Sequence, residues 1–103
     1  MSDRYDGKPF LRLLDSYVLE AIGALDQANA DWLTAAEPYF RETFGGKGSW
    51  REIVAGRMQF PARMEAAILD VWNKGRVKFL EQTGEEPDPV KFAHTFVDTN
   101  FPN

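Results

Sequence analysis

The feature that most constrains the fold is the spacing of the apolar residues, which recur every three or four positions along most of the chain. That spacing gathers apolar side chains on one side of an α-helix, whereas a half-buried strand needs strict alternation. No stretch of the sequence sustains such alternation. We therefore predict an all-α protein.

Prolines and one aspartate predict where the helices begin. Pro9, Pro61 and Pro89 suit the first position of a helix, where the missing amide proton breaks no hydrogen bond. Asp26 is expected to start another helix. Pro38 would clash with a preceding helical turn, so we expect a break just before it and a further helical stretch after it.

The length of 103 residues fits one domain, and a composition that is 44% hydrophobic and 14% aromatic can supply its core. We predict a compact single-domain helical bundle of about five helical segments across residues 1–103. Residues 1–8 are predicted to form a flexible N-terminal arm.

The first helix is expected at the centre of the bundle, because its apolar residues fill about half of its circumference. Its projection places Asp15 and Ser16 on the opposite, polar half. Trp32, Trp50 and Trp72 occur at helical spacing with other apolar residues. We expect them in the core first and on a binding surface second.

The longest predicted helix should end at Gly84, where a left-handed residue can cap it. Gly75 falls within the apolar face of this helix, where glycine either allows close helix approach or marks a break. Asp70 and Lys74 lie one turn apart with the acid first, which is the favourable order for a helical ion pair.

Several observations bear on the cellular compartment. The chain has no cysteine, which excludes disulfides, thiolate catalysis and cysteine-ligated zinc. Its first residues lack the order of a signal peptide, and no apolar run approaches membrane-spanning length. Because secreted domains of this size often need disulfides, we expect a cytoplasmic protein with no membrane partner. We also expect no metal and no organic cofactor.

The stretch FGGKGSWREI, residues 44–53, raises the question of a phosphate-binding loop. Such a loop requires the pattern G-x-x-x-x-G-K-[ST] after a strand, and the stretch has neither. Glycines 45–46 suit the end of a helix, and Ser49 and Glu52 have the spacing of a capping box. This favours a connection between two helices, with anion binding beside Lys47 as the alternative.

Charge is unevenly distributed along a chain whose net charge is −4. Residues 1–44 carry 8 acidic and 4 basic side chains, residues 45–80 carry 3 acidic and 7 basic, and residues 81–103 carry 5 acidic and 1 basic. A basic centre between acidic ends can form ion pairs within the fold or leave a basic face for an acidic partner. We expect partial neutralisation.

Six residues are candidates for interaction with a partner. They are Arg57, Arg63, Lys74, Lys78, His94 and Asp98. Asp98 lies one turn after His94, the only histidine in the sequence. This spacing favours a His–Asp pair at the border of the apolar face, with an imidazole oriented for acid–base chemistry as the alternative. Arg57 falls on an apolar stripe, where it either pairs with a buried acid, points into a pocket or reaches solvent from the last turn of its helix. No residue is singled out as catalytic.

Three stretches resemble an uncharacterised family of small bacterial proteins of about this length. They are Tyr5-Asp6-Gly7-Lys8-Pro9-Phe10-Leu11-Arg12-Leu13-Leu14 with Tyr17-Val18 and Ala21-Ile22-Gly23, then Gly48-Ser49-Trp50, and finally Phe96-Val97-Asp98-Thr99-Asn100-Phe101. The resemblance spans the chain and implies a bacterial cytoplasmic origin. It implies no activity, no cofactor and no catalytic residue.

Three functional hypotheses follow. The leading one is a non-enzymatic interaction module whose partner is another protein, because no paired catalytic groups stand out. The alternative is a regulatory nucleic-acid binder that uses the basic residues 45–80, although a pI of about 4.9 is the opposite of the usual balance. The third is a small enzyme centred on His94.

Overall fold

The computed structural model describes Tyr5 and residues 8–101, and this part of the chain contains six α-helices and no strand. The helices are α1 (Pro9–Ala21), α2 (Gln27–Ala35), α3 (Glu37–Phe44), α4 (Trp50–Met58), α5 (Met64–Thr83) and α6 (Pro89–Asn100). The all-α prediction is confirmed. There are six helices rather than about five, and the break at Ala36 between α2 and α3 lies where Pro38 predicted one.

The predicted arm at residues 1–8 lies outside the described residues apart from Tyr5 and Lys8. None of the described helices combines the length and the apolar character that a membrane crossing requires.

Side-chain caps explain why two helices begin where the sequence predicted. The Asp26 carboxylate accepts a hydrogen bond from the amide of Asn29 at 3.2 Å, which satisfies one of the free amides at the start of α2. Asp88 accepts from the amide of Val90 at 2.9 Å in the same way at the start of α6. The start of α5 was predicted too early, because a turn separates Pro61 from the first helical residue.

The glycine-rich stretch connects α3 to α4. Gly45 adopts a left-handed conformation at the end of α3, with φ of 71°. Ser49 Oγ accepts a hydrogen bond from the amide of Glu52 at 3.3 Å, which is half of the predicted capping box. The Glu52 carboxylate folds over Gly48, so it contacts the loop backbone where a larger residue would collide with it. The connecting interpretation of this stretch is therefore confirmed.

The core is built around α1, as its wide apolar arc predicted. This helix packs against α4, α5 and α6. The largest fully buried apolar side chains come from most of the helices: Leu13, Val18, Leu33, Trp50, Val54, Ile68 and Val97. A single helix thus links most of the described elements.

Two expectations about burial were wrong. Asp15 and Ser16 of α1 are buried rather than on a polar half, because neighbouring helices cover α1 on more than one side. Trp32 is 45% exposed, because α2 packs chiefly on α3 at the edge of the core. The guanidinium of Arg12 covers its ring at 3.9 Å from the ring centroid, a cation–π contact.

Helix α5 is the least buried of the long elements. It has 20 residues, of which only Ile68 is buried. Exposed large apolar side chains on α5 and at the start of α6 are Leu69, Val71, Val77, Phe79 and Val90. Part of the apolar surface of α5 is therefore not covered by any other described part of the chain.

Gly75 neither breaks α5 nor allows another helix of the chain to approach. The helix is continuous through it, and a Cβ added there would meet nothing within 4 Å. Glycine in a helix interior is less favourable than alanine by about 1 kcal/mol. No contact within the described chain therefore accounts for this glycine.

We expect Gly75→Ala to raise the free energy of unfolding by about 0.5–1 kcal/mol, because alanine is the better helix former and its methyl group has free space. Gly84→Ala is the control, because φ of 73° at that residue strains any L side chain; it should lower stability by about 1 kcal/mol. Urea denaturation followed by circular dichroism measures both. A loss of stability in Gly75→Ala would mean that the position is sterically restricted.

Candidate functional site

One surface site is an open groove between α5 and α6, which we call the α5–α6 groove. Its floor consists of Trp72, Gly75 and Phe79 from α5 and Phe92 from α6. The rings of Trp72 and Phe92 meet edge to face with centroids 5.0 Å apart, and this contact joins the two helices. The groove has a volume of about 520 Å³, within the range of ligand and peptide sites.

An ion pair forms the end of the α5–α6 groove. The Arg76 guanidinium donates two hydrogen bonds to the Glu86 carboxylate, at 2.5 and 2.6 Å. These bonds lower the pKa of Glu86 and raise the pKa of Arg76. The bidentate geometry fastens the loop that precedes α6 to the side of α5. The groove therefore has an apolar floor and a charged end.

Lys74 and Lys78, two of the predicted interaction residues, lie on α5 but outside this groove. Together with Val77 and Glu81 they line a separate shallow depression. Lys74 Nζ lies 2.9 Å from a carboxylate oxygen of Asp70, so the predicted helical ion pair is confirmed.

The other predicted residues of the basic middle segment are scattered. Arg57 lies in the last turn of α4, where its guanidinium stands 5.1 Å from the ring centroid of Phe10 and 5.5 Å from that of Phe44. This position agrees with the helix-end interpretation, since a cation is favoured there and its stem covers aromatic surface. Arg63 is exposed just before α5, about three helical turns from Lys74.

His94 meets an aspartate that the sequence did not single out. Its Nε2 lies 3.6 Å from Oδ2 of Asp15, across the contact between α6 and α1. The Asp15 side chain is 1% exposed and that of His94 is 34% exposed. Asp98 lies on the exposed side of α6 one turn later. The pairing that the structure gives for the imidazole is thus with a buried carboxylate of another helix.

One signal in the sequence could have revealed Asp15. The predicted apolar arc of α1 ends at Ile22, which leaves Leu19 isolated among polar residues. Asp15 projects between these two residues at 100° per position. Extending the arc to include Leu19, which packs against the core, places Asp15 inside it.

The acidic ends of the chain partly neutralise its basic centre. Arg51 of α4 donates to both carboxylate oxygens of Glu20 in α1, one of them at 2.5 Å, and these bonds raise the pKa of Arg51. Arg76 pairs with Glu86 from the acidic C-terminal segment. Partial neutralisation, the expected outcome, is therefore observed for these residues.

Within the described residues, no three histidine, aspartate or glutamate side chains gather closely enough to hold a metal ion. Comparisons with protein-family models, with curated proteins and with solved structures found no significant match.

We expect His94→Ala to lower the free energy of unfolding by about 1–2 kcal/mol. The substitution removes a polar neighbour from a buried carboxylate, a loss that costs about 1–3 kcal/mol between buried groups, and the partial exposure of His94 reduces that figure. A double-mutant cycle with Asp15→Asn, measured by urea denaturation, should give a coupling energy of about 1 kcal/mol. Lys91→Ala, an exposed change on the same helix, is the control. Strict additivity of the two substitutions would show that the imidazole and the carboxylate do not interact.

The Arg76–Glu86 pair predicts a pH dependence. Since the folded protein lowers the pKa of Glu86, the pair stabilises the fold fully above the ordinary glutamate pKa and stops doing so as the pH falls through the lowered value. An NMR titration of the Glu86 carboxyl carbon should report this lowered pKa, and Arg76→Gln should return it towards its ordinary range. Glu81 in the same spectra is the reference. An unchanged Glu86 titration in Arg76→Gln would contradict the pairing.

Proposed function

We propose that the chain is a non-enzymatic protein-interaction module that binds another protein through the α5–α6 groove. The observation that carries this proposal is the groove floor, where aromatic side chains of two helices form a concave apolar surface. Phe79 on this floor is 40% exposed. Aromatic side chains in a concave site are the usual anchors of protein interfaces.

The open space at Gly75 is a second observation in favour of this proposal. This glycine lies between Trp72 and Phe79 on the groove floor and leaves open space above the helix backbone. A helix-interior glycine that its own chain does not need is explained if a partner backbone approaches α5 closely at this point. Such an approach is typical of a helix that lies in a groove between two other helices.

The charged end of the groove would set the orientation of the partner. Arg76 is already paired with Glu86, whereas Lys91 on the α6 side makes no ion pair with any described residue. A bound helix with an apolar face would complement the floor, a carboxylate beside that face could pair with Lys91, and a cation could pair with Glu85, which also lines the groove. The partner is therefore proposed to be an amphipathic helix with charges of both signs beside its apolar face.

The alternatives draw less support from the geometry. Nucleic-acid binding requires free cations on one surface, and Arg51, Lys74 and Arg76 are each paired with a carboxylate. An enzyme centred on His94 would have to use an imidazole that already faces Asp15. The proposed setting is a bacterial cytoplasm, in line with the family resemblance and the lack of cysteine.

The proposal is tested with a residue that fills the groove. Gly75→Gln keeps a good helix former at the position but places a long side chain above the groove floor, so we expect folding to persist and partner binding to be lost. Affinity capture from the native cells, quantified by mass spectrometry, should lose a specific protein in this variant.

Gly56→Gln on α4 is the matched control, because a Cβ added to this helical glycine also meets nothing within 4 Å and the position lies away from the groove. It should retain the captured protein. Equal capture by both variants would exclude the groove as the binding site. Salt-sensitive retention of nucleic acid by the wild-type chain would instead favour the alternative function.

A further inference from the structure

Helix α5 has a second exposed surface, separate from the α5–α6 groove. It consists of Lys74, Val77, Lys78 and Glu81, which line one shallow depression and share no residue with the groove. At 100° per residue these four side chains occupy one side of the helix, and the groove residues occupy another. We call this surface the outer face of α5. Val77, at the edge of this face, is 55% exposed, the largest value among the large apolar side chains of the helix.

Within one copy of the chain, only one of the three charged residues of the outer face forms an ion pair. Lys74 pairs with Asp70 one turn earlier. Lys78 and Glu81 form no ion pair with each other or with any other described residue. With lysine before glutamate along the helix, their order is the less favourable one for an internal pair. One unpaired cation and one unpaired anion therefore remain beside an exposed valine.

We propose that the outer face of α5 binds a second copy of the same chain, with the two α5 helices antiparallel and related by a two-fold axis between residues 78 and 81. In that arrangement Lys78 of each copy lies opposite Glu81 of the other, so the contact contains two Lys78–Glu81 ion pairs. Val77 projects about 70° from the midline of this contact at 100° per residue, so it flanks the charged pairs. A two-fold symmetric contact requires a surface that is complementary to itself, and the outer face meets that requirement.

Charge balance favours a second copy over an unrelated partner at this surface. The chain is acidic overall, so two copies repel each other at most approaches. On the outer face Glu81 balances Lys78, and Lys74 is already neutralised by Asp70 one turn before the face, so like charges need not meet. A contact between two helices of this length belongs to the small class of interfaces, so the dimer should be weak and reversible.

This inference does not rest on the proposed function, because the two surfaces use different residues of α5. A dimer through the outer face leaves the α5–α6 groove of each copy open. Gly75→Gln should therefore leave self-association unchanged.

Sedimentation velocity tests the proposal on the full chain from about 10 μM to about 1 mM, the range in which weak interfaces associate. The wild type should shift from monomer towards dimer with rising concentration. Lys78→Glu and Glu81→Lys each place like charges opposite each other, so each variant alone should weaken the dimer at least about tenfold. Arg63→Glu, a reversal of an exposed cation outside the face, should have no such effect.

An equimolar mixture of Lys78→Glu and Glu81→Lys provides the decisive measurement. Each contact across the two-fold axis is then between a glutamate and a lysine, so the mixture should associate as well as the wild type. Since both variants change exposed positions, circular dichroism should show unaltered helices. A wild type that stays monomeric throughout, single reversals without effect, or a mixture that fails to associate would each overturn the proposal.

Discussion

The structure depends on covering α1 from several sides. Apolar residues fill about half of the circumference of this helix, too wide an arc for one neighbour to bury. Helices α4, α5 and α6 all pack on it, and each contributes buried side chains at that contact. Because α5 and α6 are both held by α1, they lie close enough for Trp72 and Phe92 to meet. The groove between them is therefore a consequence of how the core is assembled.

The buried carboxylate of Asp15 sits in this apolar centre. Placing a charge there costs several kcal/mol of solvation, which a charged or hydrogen-bonded neighbour only partly returns. His94 supplies such a neighbour from α6. The net stabilisation of such a pair is small, but taking a polar neighbour away from a buried carboxylate is costly. The pair therefore favours arrangements of α6 on α1 in which the two side chains face each other.

Most of the fold could be predicted from local signals in the sequence. Caps such as Asp26 and Asp88 act within one turn, and left-handed glycines such as Gly45 need only their own backbone, so both are visible without tertiary knowledge. Burial of Asp15 and exposure of Trp32 were missed because they depend on which helices lie nearby. Local periodicity alone cannot distinguish a helix covered on three sides from one at an edge.

The candidate site was less predictable than the fold for the same reason. The ion pair of Lys74 follows from its spacing from Asp70, which is a property of one helix. The groove joins residues about 20 positions apart, such as Trp72 and Phe92, and its charged end depends on how the loop before α6 turns back to α5. Gly75 stands out in the sequence, but its role cannot be inferred until the space around it is known.

The uneven burial of α5 implies a gradient of local opening along a single helix. Its early turns contain Ile68, which is fully buried, whereas the turns beyond Trp72 contain no buried side chain. Backbone amides that are held only by intrahelical hydrogen bonds exchange their protons through local fraying. Amides beside the core exchange only when a larger part of the structure opens cooperatively. The C-terminal turns of α5 are thus the part of this helix that opens at the lowest cost in free energy. They are also the part where a bound partner would most slow the exchange.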